Sequence, residues 1–126
     1  MLDLIIKNGS CYIDKDLKNH DIAIKDGKII EIGKIDNEAK EIFDAKGLIV
    51  LPGCIDTQTH FREPGSTDTE DLNSGSRAAI VGGITAVFEM PNTNPPTSTK
   101  KEFQRKLDLA KNRMYCNYAF YFGATA

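Results

Sequence analysis

The stretch LPGCIDTQTHFREPG, residues 51–65, separates two different sequence patterns and decides the fold. Before it, short β-strand patterns follow one another at glycine-containing turns. After Pro52-Gly53, strand patterns alternate with helix patterns, which is typical of βα units around a parallel sheet. We therefore predict a β-rich N-terminal segment at residues 1–51 and a second domain at residues 52–126.

The N-terminal segment contains three stretches with strand character, LDLIIKNGSCYI, DIAIKDGKIIEIG and EIFDAKGLIVL. Asp26-Gly27 lies between two alternating isoleucine runs and is a strong hairpin signal, because both turn positions tolerate positive φ. Asn8-Gly9 gives a weaker signal of the same kind. Strands with one apolar face must bury that face, so we expect a second sheet layer and a small β-sandwich-type segment.

The second domain begins with a strand pattern, CIDTQTHF, which a helix pattern follows. Thr67 and Glu70 have the spacing of a capping box that opens this helix. The apolar residues on one face of the helix are Leu72, Ala79 and Ile80. Gly82-Gly83 is expected to end it.

A second βα pattern follows directly. ITAVFEM has strand composition, and PNTNPPTS is expected to be a loop because Pro95-Pro96 disfavours helix. Thr99 and Glu102 form another predicted capping box. The apolar stripe of this helix consists of Phe103, Leu107, Ala110 and Met114. YCNYAFYFGAT supplies a third strand; since a closed (β/α)8 barrel needs roughly 200 residues or more, we expect a TIM-like α/β barrel that is incomplete here.

The composition is that of an ordinary globular protein, with 126 residues of which 40% are hydrophobic and 27% charged. The formal net charge is -2 and the two signs are interspersed, so we expect neither nucleic-acid nor membrane binding. The sequence shows no signal-peptide core and no apolar run long enough for a membrane span, which favours a cytoplasmic protein. Three separated cysteines without a CxxC pair argue against a disulfide framework or a zinc knuckle.

Polar residues alternate along the end of the first strand of the predicted barrel. Asp56, Gln58, His60 and Arg62 would share one face of an extended strand. Barrel enzymes place their active sites at the C-terminal ends of strands. Imidazole suits zinc, and a guanidinium suits a carboxylate. The pattern suggests a metal site beside an anion site, and the alternative is a surface strand whose polar face is solvated.

Other candidate residues are few. Asn92 leaves the second strand at the same edge and could hydrogen-bond a substrate carboxylate or amide, or could simply be a turn residue. Glu89 is either a carboxylate near the site or an ordinary strand residue. His20, the other histidine, is expected at the surface of the β-rich segment. A zinc site normally takes three or four protein ligands, so this chain alone is not expected to complete one.

LPGCIDTQTHFREPG followed by SGSRAAIVGGITAVFEMPNTNPPT resembles the dihydroorotases, within the amidohydrolase superfamily that also contains hydantoinases and allantoinases. The resemblance covers almost the whole chain. It implies zinc-dependent, reversible hydrolysis of dihydroorotate to carbamoyl-aspartate in pyrimidine biosynthesis, with one or two Zn²⁺ ions per full-length subunit. It also implies that His60 is a metal ligand and that Arg62 and Asn92 contact the substrate carboxylate. The family's other ligands and its catalytic aspartate would lie beyond Ala126.

Gln58 departs from the family pattern. That pattern is DxHxHxR, whereas this sequence reads DTQTHFR, with Gln58 in place of the first metal histidine. An amide oxygen is a poorer zinc ligand than imidazole. Three outcomes remain open: a one-metal enzyme, a two-metal enzyme with an altered ligand, and a catalytically silent relative.

Two other functions stand beside dihydroorotase. One is a non-catalytic homologue that supports a partner such as aspartate carbamoyltransferase. The other is a hydantoinase-like or allantoinase-like enzyme that acts on another cyclic ureide. We expect the full-length protein to be a homo-oligomer with a small-molecule substrate. Residues 1–126 alone are expected to be inactive, because ligands are missing and an open sheet edge leaves strand groups unpaired.

Overall fold

The computed structural model describes residues 1–124 and divides the chain into two units, Met1–Pro52 and Gly53–Ala126. The strands of the first unit are β1 (Leu2–Ile13), β2 (Asp16–Lys25), β3 (Lys28–Gly33), β4 (Ala39–Asp44) and β5 (Ile49–Val50). The elements of the second unit are β6 (Cys54–Thr59), α1 (Leu72–Val81), β7 (Ile84–Glu89), α2 (Lys100–Ala110) and β8 (Asn117–Phe120). Neither helix within residues 1–124 is long and apolar enough to cross a membrane.

The first unit is organised around the long strand β1. Strand β2 pairs antiparallel with β1, β3 pairs antiparallel with β2, and β4 and β5 run parallel to successive parts of β1. All five strands belong to one sheet. Ile29, Ile30 and Ile42 on this sheet are 60%, 55% and 57% exposed. Residues 1–52 therefore contain no second sheet layer, and the β-sandwich-type arrangement stays a prediction.

The two predicted turns of this unit have different outcomes. Asp26-Gly27 joins β2 to β3 with φ values of 50° and 69°, which confirms the hairpin. Asn8-Gly9 was expected to turn the chain as well, and this prediction is wrong because β1 continues through it. Asn8 has φ 61° and lies at a register shift between Ile6 and Gly9. Its positive φ is used in a β-bulge, which needs the same backbone freedom as a turn.

The chain turns instead at Asp14-Lys15, where both residues have positive φ, 54° and 67°. Ile13 pairs with Asp16 directly across this turn. Gly9 is required for another reason: a Cβ placed on it would lie 2.5 Å from the Cγ2 atom of Val50. The glycine therefore permits β5 to approach β1 closely.

The second unit is a parallel sheet in the order β6-β7-β8, with one helix in each connection. This confirms the predicted alternation of strands and helices. Its core consists of Phe61, Leu72, Val87, Ala110 and Cys116. Closure of such a sheet into a (β/α)8 barrel stays a prediction about a longer protein.

Helix α1 begins later than its predicted capping box. Asp71, not Thr67, is the N-cap: its carboxylate accepts from the Ser74 amide at 2.7 Å, and the Ser74 hydroxyl accepts from the Asp71 amide at 3.1 Å. Thr67 instead belongs to a turn before the helix, and Glu70 lies between that turn and the N-cap. The box is thus built four positions further along, by a serine in place of the expected glutamate.

The faces of the helices were predicted only in part. In α1, Leu72 is fully buried but Ile80 is 41% exposed, so Ile80 does not belong to the buried face. In α2, Thr99 is the N-cap as predicted, and its hydroxyl accepts from the Glu102 amide at 3.2 Å. Met114 lies beyond the end of α2 yet packs against the core. The predicted third strand is shorter in the structure, and its last residue, Thr125, lies outside the described residues.

Candidate functional site

The carboxyl ends of β6 and β7 lie side by side, because the two strands are parallel neighbours. Strand β6 ends at Thr59 and β7 ends at Glu89. Just past these ends, the Met90 amide donates to the Thr59 carbonyl at 2.9 Å. The segments that follow the two strands are therefore held together at one edge of the sheet.

His60 and Asn92 meet at this edge. The Nδ1 atom of His60 lies 2.8 Å from the Oδ1 atom of Asn92. An amide oxygen can only accept, so Nδ1 carries the proton, and a neutral ring then keeps its lone pair on Nε2. The arrangement is the one found around metal-binding histidines, in which one ring nitrogen donates to an oxygen and the other is directed to the metal.

The other residues of the predicted polar face are placed differently. Gln58 is exposed, and its backbone amide donates to the Asp56 carboxylate at 2.9 Å. Arg62 lies beyond the end of β6 and has a left-handed backbone conformation, with φ 61°. Strand alternation therefore does not determine where Arg62 points. Its side chain is exposed and makes no hydrogen bond or ion pair within residues 1–124.

Glu63, the next residue, was not identified from the sequence. Its carboxylate is buried and accepts from the Nη1 and Nη2 atoms of Arg113, at 2.8 and 3.1 Å. It also accepts from the Leu72 amide, at 2.9 Å, at the start of α1. The Glu63 carboxylate raises the pKa of Arg113, which keeps the guanidinium charged. A glutamate two residues before a glycine in a loop carries no pattern that predicts a partner 50 positions away.

A second ion pair lies where β7 meets α2. Glu89 and Lys106 form it, and their side chains are almost completely buried, at 1% and 0% exposure. Burial raises the pKa of Glu89, while Lys106 opposes that shift. Lys106 also donates to the Met90 carbonyl at 3.1 Å. Lys106 is buried beside the predicted stripe residue Leu107, three residues after Phe103 and four before Ala110, and a lysine at that helical spacing is the signal that could have revealed it.

The amidohydrolase family model matches residues 49–125, more than half of the chain. The chain belongs to the amidohydrolase family. An allantoinase from Escherichia coli O1:K1 is 45% identical to this amidohydrolase over 113 residues, which are 89% of the chain and 25% of the relative.

Solved structures agree with this assignment. The L-hydantoinase (dihydropyrimidinase) from Arthrobacter aurescens superposes with a TM-score of 0.88 and is 35% identical, covering 98% of this amidohydrolase and 28% of that chain. The D-hydantoinase (dihydropyrimidinase) from Thermus sp. has a TM-score of 0.80 and 28% identity, covering 96% and 27%. The chain thus spans about a quarter of the length of the relatives it matches.

Zinc, which the sequence resemblance implies, has one fitting donor at this edge of the amidohydrolase. The Nε2 atom of His60 has the right chemistry and a fixed tautomer. Within residues 1–124 there is no group of three or more His, Cys, Asp or Glu side chains that could hold a metal ion. A complete zinc site therefore needs further ligands from outside the described residues.

Proposed function

We propose that the whole protein is a metal-dependent hydrolase that opens the ring amide of a cyclic ureide of the allantoin or hydantoin type. The observation that carries this proposal is the hydrogen bond between His60 and Asn92 at the carboxyl edge of the sheet. It occurs in a chain that is 45% identical to an allantoinase and 35% identical to a hydantoinase. These relatives support a cyclic ureide more directly than they support dihydroorotate.

Each residue of the edge has a distinct task in this proposal. His60 offers Nε2 to the metal, and Asn92 holds the ring by accepting from Nδ1. Arg62 donates hydrogen bonds to a substrate oxygen, since its guanidinium is exposed and has no partner within residues 1–124. The chemistry that zinc supplies when bound is activation of water at neutral pH and polarisation of a carbonyl group.

The test is a substrate panel with the whole protein and added zinc: allantoin, hydantoin, dihydrouracil and dihydroorotate. We expect ring opening of allantoin or hydantoin that exceeds the rate of the His60→Ala variant by at least about 100-fold, because the variant lacks a metal ligand. A protein that opens none of the four rings above the His60→Ala level would contradict the proposal.

Dihydroorotase is the second candidate, and Arg62 favours it. A planar guanidinium is matched to a carboxylate, which dihydroorotate carries and allantoin and hydantoin lack. If dihydroorotate is the substrate, Arg62→Ala should lower its kcat/KM by about 10- to 100-fold, the loss of a charge-assisted hydrogen bond, and should affect hydantoin much less. An equal effect of Arg62→Ala on both rings would argue against this candidate. Hydrolysis of allantoin without any of dihydroorotate would exclude it.

A non-catalytic role is the third candidate, because Gln58 occupies the position of a family metal ligand. In this case the protein would assemble with itself or with an enzyme such as aspartate carbamoyltransferase. Metal analysis of the purified whole protein, together with an activity assay, distinguishes an enzyme from a non-catalytic homologue. Stoichiometric zinc together with turnover excludes the scaffold. If Gln58→His is needed before zinc binds, the scaffold is favoured, because imidazole binds zinc better than an amide oxygen.

A further inference from the structure

Arg62 presents its side chain from an unusual backbone conformation. Its φ of 61° lies in the left-handed region, which a non-glycine residue adopts only at a cost in free energy. The residues on either side, Phe61 and Glu63, are 7% and 6% exposed, whereas Arg62 itself is exposed. A strained residue persists only where the surrounding structure determines its conformation. The contacts of its two neighbours should therefore explain it.

Both neighbours are anchored on α1. The ring of Phe61 lies against Gly75, since a Cβ on Gly75 would come within 2.5 Å of the ring atom Cδ1. Glu63 accepts from the Leu72 amide at 2.9 Å. In addition, the Ser66 amide donates to the Arg62 carbonyl at 2.9 Å. The backbone of Arg62 is thus fixed on both sides while its side chain stays free.

The Glu63 anchor depends on Arg113. The guanidinium of Arg113 donates hydrogen bonds to both carboxylate oxygens of Glu63, at 2.8 and 3.1 Å. It also donates to the Leu109 carbonyl at 3.0 Å, at the end of α2, and lies 3.8 Å from the Asp71 carboxylate. This bidentate pairing fixes the orientation of the Glu63 carboxylate as well as its distance from Arg113, which a lysine could not do.

We propose that the Glu63–Arg113 ion pair is a positioning device that holds Arg62 in its left-handed conformation and so presents its guanidinium to a substrate oxygen. The two residues act through Arg62 and do not touch the substrate themselves. This inference rests on the proposed function, in which Arg62 binds the substrate. It adds two residues that determine how well that binding works.

The test is a double-mutant cycle in the whole protein, with the best substrate of the panel above. Arg113→Lys keeps the charge and loses the paired geometry, so KM should rise about tenfold while kcat changes little, as expected for lost uniform binding. In an Arg62→Ala background, Arg113→Lys should cause no further rise in KM, because residues that act through one another are not additive. Arg105→Lys is the matched control, since Arg105 is an exposed arginine that pairs with Glu102 on α2. It should leave KM unchanged.

Two results would overturn the inference while leaving the proposed function intact. One is an Arg113→Lys protein that loses thermal stability but keeps its KM, and the other is an effect on KM that adds fully to that of Arg62→Ala. If Arg113→Lys does not fold, Glu63→Gln replaces it in the same cycle. An Arg62→Ala protein with unchanged KM would instead remove Arg62 from the proposed function as well.

A structural readout decides the point even if no ring of the panel is opened. Crystal structures of the whole protein with Arg113→Lys and with Arg105→Lys should differ at Arg62. We expect φ of Arg62 to leave the left-handed region in the first variant and to stay there in the second. A left-handed Arg62 in both would overturn the inference.

Discussion

The orientation of the His60 ring depends on one acceptor, the Oδ1 atom of Asn92, 2.8 Å away. Asn92→Ala removes that acceptor, and we expect the zinc affinity of the whole protein to fall by about 10- to 100-fold, the usual effect of losing such a partner. Asn92→Asp is the matched control, because it keeps an oxygen at the same position. Competition with a chromogenic chelator measures the zinc affinity of both variants. Equal affinities for Asn92→Ala and the parent protein would contradict the assigned role.

At the same scale, the sequence indicated two candidate residues, His60 and Asn92, but not the contact between them. The alternation of polar residues along the first strand indicated His60. The position of Asn92 in the loop after the next strand indicated the second residue. Their contact could not be predicted, because it joins residues 32 positions apart and depends on strand register. Arg62 lies outside the strand, so its conformation follows from the buried Glu63 and from Arg113. Contacts between residues so far apart in the chain produce no periodic pattern in the sequence.

Among the elements, α1 is held against the segment after β6 by a close contact. Gly75→Ala would place a Cβ 2.5 Å from the Phe61 ring, so the variant should be destabilised by about 1–3 kcal/mol through overpacking. Gly82→Ala is the control, because its Cβ would meet nothing closer than 3.5 Å and its φ is -82°. It should be neutral or slightly stabilising. Urea denaturation measures the free energy of unfolding of the two variants. Equal losses of stability would contradict the contact.

The contact between α2 and β7 depends on the buried pair of Glu89 and Lys106. Lys106→Met leaves the Glu89 carboxylate without its partner, which should cost about 3–5 kcal/mol at neutral pH. Burial already raises the pKa of Glu89, and loss of Lys106 raises it further. A carboxyl whose pKa is raised on folding contributes stability at low pH that is lost as the pH rises through the raised value. The deficit should therefore be larger at pH 8 than at pH 5.

The control for this prediction removes both charges at once. Glu89→Gln combined with Lys106→Met should recover much of the lost stability, because no buried charge then lacks a partner. Thermal denaturation of the whole protein at both pH values measures the effect. A single variant as stable as the double variant at pH 8 would contradict the predicted cost of leaving the Glu89 carboxylate without its partner.

Elements were predicted better than their ends and faces. The order of strands and helices in the second unit followed from hydrophobic periodicity, which depends only on neighbouring residues. The start of α1 did not, because two capping patterns follow one another, Thr67 with Glu70 and Asp71 with Ser74, and Asp71 is the residue that caps the helix. Lys106 lies outside the predicted apolar stripe of α2 but is fully buried, because it forms an ion pair with the Glu89 carboxylate of β7. A buried polar partner in another element overrides the local pattern.

For the molecule as a whole, two limits on prediction have the same origin. The sandwich-type layer and the closed barrel both require surfaces that residues 1–124 do not contain, and apolar side chains such as Ile29 and Ile55 stay 60% exposed. The metal site is incomplete in the same way. Local sequence predicts the units that are present, whereas a second layer, a closed barrel and a complete metal site would need residues outside the part matched here, which is a quarter of the length of the allantoinase relative.

The activity and stability of the whole protein should accordingly depend on zinc, and zinc binding should depend on His60. Zinc at about 100 times its dissociation constant should stabilise the folded state by about 2.7 kcal/mol, since a ligand that binds only the folded state stabilises it by mass action. Removal of zinc by a chelator should abolish ring opening, and readdition should restore it. His60→Ala should show a much smaller thermal shift with zinc, because one ligand is missing. A full thermal shift in that variant would place the metal elsewhere in the protein and leave this edge of the sheet to bind substrate alone.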